Sequence, residues 1–405
     1  MNLQTDFSLR SKRSCFKRIL ATAFSAAALF GSFSPNSAQA DQGLLSSALF
    51  GESEEAPFID VKGWASQGFT WNTTSTSSFN GPVTFNDRAE EFQLNQLSLV
   101  FERAVAQSAD EWDLGGRVDL MYGTDSAFTT SVGFDDNITS SSYRYYTMAI
   151  PQAYLETNIP VLDGVKFKAG HFYTLIGYET VPAPDNFFYS HAYTMQYGEP
   201  FTHWGGLFSK SFCDGQYTVT AGAVRGWDNM SDTADGNLSF LGGISSTIAD
   251  GTVLAASVIS GNEGYGANRT MYSLVLTHQL SEKLKWVLQH DNGMQEVSGG
   301  SDAQWYGINN YLLYTLSDTL STGVRAEWFR DDDGTRVVGL RSGYGGKGSY
   351  YGLTWGVNYA PASYVTLRPE LRYDFKRSPK SSVGPFDRGN ENDQLLVAMD
   401  AIFKF

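Results

Sequence analysis

Cysteine is nearly missing from this 405-residue chain, which carries only Cys15 and Cys213. An apolar stretch long enough to cross a bilayer as a helix, ~20 residues, does not occur after residue 40. Positive charge is also scarce, with 29 Lys and Arg against 43 Asp and Glu. The first lack excludes a disulfide framework, and the second excludes a helical membrane protein. The third argues against nucleic acid as a partner and against attachment to an anionic lipid surface.

The first forty residues read as an export signal. Arg10, Lys12, Arg13, Lys17 and Arg18 form a basic start, Ile19 to Phe33 an apolar run, and Ala38-Gln39-Ala40 a small-residue cleavage site. Cleavage there removes Cys15 and leaves 24 basic against 42 acidic residues, a net charge of −18. Cys213 then stands alone, with no role assigned to it. Residues 41–57 read as a periplasmic leader or linker, and residues 58–405 as the folded body.

The body is rich in what strands use: 27 Phe, 22 Tyr, 9 Trp and 41 Gly. That leaves a secreted β-protein or a transmembrane barrel. Sixteen alternating segments, give or take two, span 58–72, 93–104, 110–122, 150–158, 165–175, 202–212, 216–227, 238–248, 252–260, 270–280, 283–292, 302–316, 318–331, 347–360, 362–377 and 392–405. Tight turns such as "CDG" at 213–215, "ADG" at 249–251 and "SD" at 317–318 alternate with long connections such as 73–92, 123–149 and 176–201. Short periplasmic turns alternating with long external loops define an up-and-down antiparallel barrel in an outer membrane. A soluble sandwich has no reason to segregate loop length this way.

Within the segments, period-two alternation separates apolar from ionisable residues. "YVTLRPELRYDF", Tyr364 to Phe375, is the densest case: Arg368, Glu370, Arg372 and Asp374 share one face, and Leu367, Leu371 and Phe375 the other. Pro369 removes a ladder donor there, so a bulge or a locally unpaired position is expected. Segments 202–212 and 216–227 do not reveal an outward face. The chain ends "LLVAMDAIFKF", with Phe403 and Phe405 on one apolar face. That ending resembles the signal read by the outer-membrane assembly machinery, and in a closed barrel it must pair with the first strand.

Two stretches resemble a known family. "AYLETNIPVLDGVKFKAGHFYTLIGYETVPAPDNFFYSHAY", Ala153 to Tyr193, and "LRPELRYDF" resemble the OmpL-like porins, also called outer-membrane β-barrel porin family 2. The resemblance covers most of the mature chain and implies a channel in the bacterial outer membrane, with no attached chemistry and no defined substrate. The connections 123–149 and 378–391 have no counterpart in it.

Sixteen strands leave an aqueous interior, and an Arg or Lys turned to lipid at the midplane costs ~2–4 kcal/mol. The strand charges are therefore placed inside: Arg117, Asp119, Glu156, Lys166, Lys168, Lys285, Arg325, Glu327, Arg368, Glu370, Arg372 and Asp374 as pore-lining residues. Each taken singly is more simply a solvated wall residue paired across strands; as a set they define a polar lumen. The long aromatic segment 176–201 is the candidate constriction loop, offering Glu179, Asp185 and Glu199; the alternative is packing over the rim or against a neighbouring subunit. The chain's five histidines, His171, His191, His203, His278 and His290, and the run Asp331 to Gly334 show neither metal-ligand spacing nor a nucleophile-and-base arrangement, so no cofactor, metal or catalytic residue is expected. The expected function is passive diffusion of small hydrophilic solutes or ions, in contact with outer-membrane lipid and by analogy as a homotrimer. The alternatives are an outer-membrane phospholipase or protease, and a plugged structural or adhesin barrel.

Overall fold

The computed structural model describes residues 58–75, 77–105, 110–139, 145–231, 237–263, 267–296, 300–377 and 383–405. The expected signal peptide and leader, 1–57, lie outside the described residues. Sixteen strands follow: β1 (Asp60–Asn72), β2 (Phe92–Arg103), β3 (Asp113–Gly123), β4 (Thr147–Ile159), β5 (Val165–Tyr173), β6 (Thr202–Phe212), β7 (Tyr217–Val224) and β8 (Ser239–Ala249) form the first half. The second half is β9 (Thr252–Asn262), β10 (Asn268–Gln279), β11 (Leu284–Gln295), β12 (Ala303–Ser317), β13 (Leu320–Asp331), β14 (Gly348–Ala362), β15 (Val365–Arg377) and β16 (Asp393–Lys404).

Every strand pairs antiparallel with its sequence neighbours, and β16 returns to β1 in register Trp64↔Lys404 through Asn72↔Leu396. Gly63 and Phe405 exchange both backbone hydrogen bonds, so the chain's last residue closes the seam. Closure leaves no edge strand, the condition for crossing lipid with strands. In the β6–β7 turn Cys213, Asp214 and Gly215 all have φ between 55° and 82°, the left-handed geometry that matches hairpin twist. Cys213, to which the sequence assigns no role, sits in this turn; the chain's other cysteine, Cys15, lies outside the described residues.

The alternation read from sequence separates the two faces of the wall. On β15 Pro369, Leu371 and Tyr373 are exposed, while Arg368, Glu370, Arg372 and Asp374 are buried. The β14–β15 ladder is interrupted between Gly356↔Glu370 and Tyr359↔Leu367, opposite Pro369, while the β15–β16 ladder runs through Pro369↔Met399. The two undecided strands, β6 and β7, also resolve. Phe208 packs outside on Phe167, and Trp204 stacks on His171, whereas Leu207 joins an interior cluster. Their runs "WGG" and "AGA" put small residues on both faces, which erases the contrast that alternation needs.

The interior is not uniformly polar. Inward-facing Val224, Leu241, Ile259, Met271, Trp305 and Phe329 pack with Ile176, Tyr193 and Tyr197 of the β5–β6 connection. A second cluster joins Val275, Val287, Tyr311 and Leu313 to Phe188 and its partly buried neighbour Phe187.

Candidate functional site

The connection between β5 and β6, residues 174–201, runs through the barrel interior. It contains a short 3-10 turn, Ala183–Asp185, entered from Pro182, whose fixed φ suits such a start, and a π-turn, Thr194–Gly198. It touches the wall on widely separated strands, which only an interior path allows. On β2, Gln96 Oε1 accepts from Ala183 N at 2.9 Å while its amide donates to Val181 O at 2.8 Å, and Tyr189 Oη donates to Asn95 at 3.0 Å. On β12, Asn309 bonds Thr194, and Trp305 Nε1 donates to Gly198 O at 3.1 Å. On β13 and β15, Glu327 accepts from Tyr193 N at 2.6 Å and Glu370 from Tyr189 N at 3.0 Å.

Wall glycines make room for the segment's rings. A Cβ at Gly68 would overlap the Tyr189 ring, one at Gly323 would lie 2.8 Å from Phe187, and one at Gly356 3.0 Å from Phe188. The glycines of β1, β13 and β14 thus act as sockets, a role that strand propensity alone would count as a defect.

The predicted lumen charges fall into two groups. Arg325, Glu327, Arg368, Glu370, Arg372 and Asp374 are at most 5 % exposed, and all but Asp374, which holds Arg372, bond the interior segment directly. Arg325 donates to Glu179 Oε1 at 2.8 Å and to Ser190 O at 2.6 Å. Arg372 donates to Asp374 at 2.9 Å and to His191 O at 2.5 Å. Arg368 is forked on Asp400 at 2.8 and 2.6 Å and donates to the carbonyls of Ala183, Asn186 and Phe188 at 2.7–3.1 Å. A planar guanidinium with five donors suits such a multi-carbonyl grip, which an ammonium could not reproduce.

The other group, Arg117, Asp119, Glu156, Lys166, Lys168 and Lys285, does not contact that segment by any hydrogen bond or ion pair among the described residues. Arg117 is paired with Asp119 at 2.7 Å and lies 3.6 Å from Glu102; Asp119 also accepts from Gln152 at 3.0 Å. Lys168 stands 4.2 Å above the Tyr154 ring and opposite Glu156 in the β4–β5 register, and Lys166 stands opposite Asn158. Lys285 shares the inward face of β11 with Gln289. All but the buried Asp119 keep partial exposure.

The three candidate loop carboxylates differ. Burial pushes Glu179 up, but the Arg325 guanidinium and His191 at 3.1 Å overcome it and hold the group at about 2. Burial raises Asp185, partly offset by Arg117, Lys404 and Lys62 on the periplasmic side. Glu199 is buried and accepts from Gln289 Nε2 at 2.5 Å. Beneath the segment, on the periplasmic side, lies a cavity of about 230 Å³ walled by Pro184, Asn186, Asn358, Thr366, Arg368 and Lys404. Among the described residues no three His, Cys, Asp or Glu side chains come together as a metal site.

Sequence reasoning missed Asn95, Gln96, Gln289, Asp291 and Tyr311, all in contact with the interior segment or its carboxylates. The signal was present for Gln289 and Asp291, which alternate with Leu288. Polar His290 and Asn292 on the opposite face of β11 obscured it.

A closed sixteen-stranded barrel with an inward-folded third external connection defines an outer-membrane porin, a passive diffusion channel of the Gram-negative envelope. The chain belongs to the family described as "Putative beta-barrel porin-2, OmpL-like", whose profile matches residues 58–405. No curated protein matches it. Among solved structures it is similar in fold to OmpT of Vibrio cholerae in its trimer form, with a TM-score of 0.56, 11 % identity, and coverage of 87 % of this chain and 100 % of that one. The channel DcaP of Acinetobacter baumannii gives 0.56 at 12 % identity, covering 86 % and 97 %. OprB of Pseudomonas putida gives 0.57 at 10 %, covering 86 % and 94 %.

Proposed function

We propose that small hydrophilic solutes and ions diffuse through a lumen narrowed by residues 174–201, with no catalytic step. The observation that carries this reading is the path of that segment across the interior, bonded to β2, β11, β12, β13 and β15. In this reading Glu179, Asp185 and Glu199 belong to the constriction. The partly exposed charges Arg117, Glu156, Lys166, Lys168 and Lys285 face the water path and set a weak charge preference. Arg325, Glu327, Arg368, Glu370, Arg372 and Asp374 line the same lumen mainly as anchors. Deleting residues 182–196 should raise single-channel conductance in planar bilayers roughly severalfold, on the expectation that removing a constriction widens the pore; an unchanged conductance sinks the constriction.

The absence of catalysis rests on how the histidines are used. His191 meets Glu179, His203 meets Thr174, and His278 meets Thr252, but none of the three holds a hydroxyl and a carboxylate together among the described residues. Lipid or peptide hydrolysis by purified protein in detergent would revive an enzyme. Export by the 1–40 signal, delivery to the assembly machinery through Phe403 and Phe405, and assembly as a homotrimer complete the proposal.

One observation favours a second reading, a plugged barrel with a structural or adhesive role. The interior aromatic cluster around Tyr193, Tyr197, Trp305 and Phe329 is packed like a protein core. A folded, heat-modifiable protein without measurable conductance selects that reading.

A further inference from the structure

We propose that Glu199, Asp291, Ser273 and Asn309 form a binding site for one Ca2+ ion, a hard divalent cation held between the end of the interior segment and strands β10, β11 and β12. The inference goes beyond the diffusion reading, since binding is read without any current.

Two carboxylates meet here inside the barrel, and the chain brings no cation to them. Glu199 lies in the connection just before β6, and Asp291 on the inward face of β11; they are 5 % and 0 % exposed. One nitrogen, Gln289 Nε2, donates to Glu199 Oε1 at 2.5 Å and to Asp291 Oδ2 at 2.8 Å. A single amide that touches both acids places their oxygens in the same small volume. On the segment's side Gly177 makes room for Glu199, since a Cβ there would overlap its Oε2. Among the described residues neither acid has an ion pair, and Glu179, an acid of the same segment, is committed to Arg325 at 2.8 Å. The facing residues are Ser273 of β10 and Gly307 and Asn309 of β12, while His290 turns to the other face and packs on Tyr272. A buried carboxylate is costly unless it is paired or ligates a metal.

An independent observation points the same way. Asp291 Oδ1 and Asn309 Oδ1 are buried acceptors that no donor reaches. Asn309, 1 % exposed, stands opposite Gln289 in the ladder and spends its amide nitrogen on Thr194 of the segment, which leaves its oxygen over. The Gln289 amide is already shared between the two acids, and its Oε1 accepts from Tyr178 N at 3.3 Å. Ser273, also 1 % exposed, is the direct partner of Asp291 in the β10–β11 ladder and brings a hydroxyl to the same place. The surplus is therefore of oxygen lone pairs and negative charge, which is what a cation needs.

The donor set selects the ion. It holds oxygen alone, with neither the imidazole nor the thiolate that zinc and copper favour. Two acids balance a divalent charge, and among the described residues no third acid joins them. Mg2+ gives up its waters reluctantly and demands a regular octahedron, whereas Ca2+ accepts 6–8 oxygens in irregular arrangements. Two carboxylates, one hydroxyl and one amide offer about six. The ion ties the end of the segment to β10, β11 and β12, a part of the wall that the arginine anchors of β13 and β15 do not reach.

The folded chain in detergent, stripped with a chelator and titrated calorimetrically with CaCl2 near neutral pH, should take up one Ca2+ per chain. Glu199→Gln and Asp291→Asn should each weaken that uptake by about tenfold or more, because the number of charged ligands sets Ca2+ affinity. A wild type without stoichiometric uptake means that a proton or a water neutralises the pair, and overturns the site. Uptake that both variants retain belongs to surface carboxylates and also overturns it. A second readout locates the ion. Trp305 Nε1 donates to Gly198 O at 3.1 Å, next to Glu199, so its ring flanks the site. Tb3+ in place of Ca2+ should luminesce on excitation of tryptophan, be displaced by CaCl2, and lose most of its emission in Trp305→Phe. No sensitised emission from the wild type, or emission that Trp305→Phe leaves unchanged, overturns the site even if neither carboxylate variant folds.

Discussion

Two halves of the same wall carry ionisable residues in the same alternating pattern and use them differently. On β13 and β15, Arg325, Arg368 and Arg372 are fully engaged by Glu179, Asp400, Asp374 and the backbone carbonyls of the interior segment. On β3, β4 and β5, Arg117 pairs within the wall, while Glu156, Lys166 and Lys168 remain partly exposed toward the interior. The difference teaches that an inward-facing charge is not thereby a solute contact. A guanidinium beneath a folded-in segment is part of the protein's core, and its worth lies in what it holds in place.

The largest effect should come from breaking the anchored half. Arg372→Ala leaves Glu327 and Asp374 buried beside each other and frees the His191 carbonyl. Removing one member of a buried ion pair costs about 3–5 kcal/mol, because the partner charge is stranded. Denaturant midpoints in lipid vesicles should fall accordingly, and single-channel records should show a larger or noisier pore. A variant with wild-type stability would mean that water already reaches this cluster, and the division between the two halves would fail.

A smaller effect tests the sockets rather than the charges. Gly68→Ala adds one methyl where the Tyr189 ring lies. Overpacking of this kind costs about 1–3 kcal/mol, and here the cost should appear as displacement of Tyr189 from Asn95. Conductance should shift while the fold persists. The equivalent change at Gly215, whose surroundings are open, should leave conductance alone, although its φ of 82° makes that turn strained.

Much of the fold was legible because membrane barrels obey local rules. Connection length alternated, faces alternated, and the terminal phenylalanine strand demanded a partner, which β1 provides. Even Pro369 announced the interruption of the β14 ladder. The site was legible by half. Periodicity placed Arg325 and Lys168 inside by the same reasoning, yet nothing local distinguishes them. The distinction comes from residues 174–201, whose contacts with β13 and β15 join positions more than 130 residues apart. Alternation gives the face a residue occupies; it does not say what fills the space in front of that face. The interior aromatic clusters escaped for the same reason, since an inward Trp305 or Phe329 in a pore-forming strand makes sense only with the segment in place.

The smallest expected effect on stability is also the sharpest test of the comparison. Lys166→Gln with Lys168→Gln removes two positive charges that make no ion pair among the described residues, leaving Glu156 without its cross-strand neighbour of opposite sign. Partly exposed charges without an ion pair contribute little, and even with the loss of the Lys168–Tyr154 ring contact the total should stay within about 1 kcal/mol. The denaturant midpoint should barely move, and current through the open pore should keep its size. What should change is the reversal potential across a salt gradient, displaced toward cations because the periplasmic side of the lumen has become more negative. The same pair of neutral substitutions on the anchored half would reverse the ranking, with a large loss of stability and a small change in ion preference. If the lysine variant instead loses stability and keeps its selectivity, the early-strand charges are structural too. The water path must then run along the uncharged faces of β7, β8 and β9, where Thr220, Gly243 and Ser257 look inward.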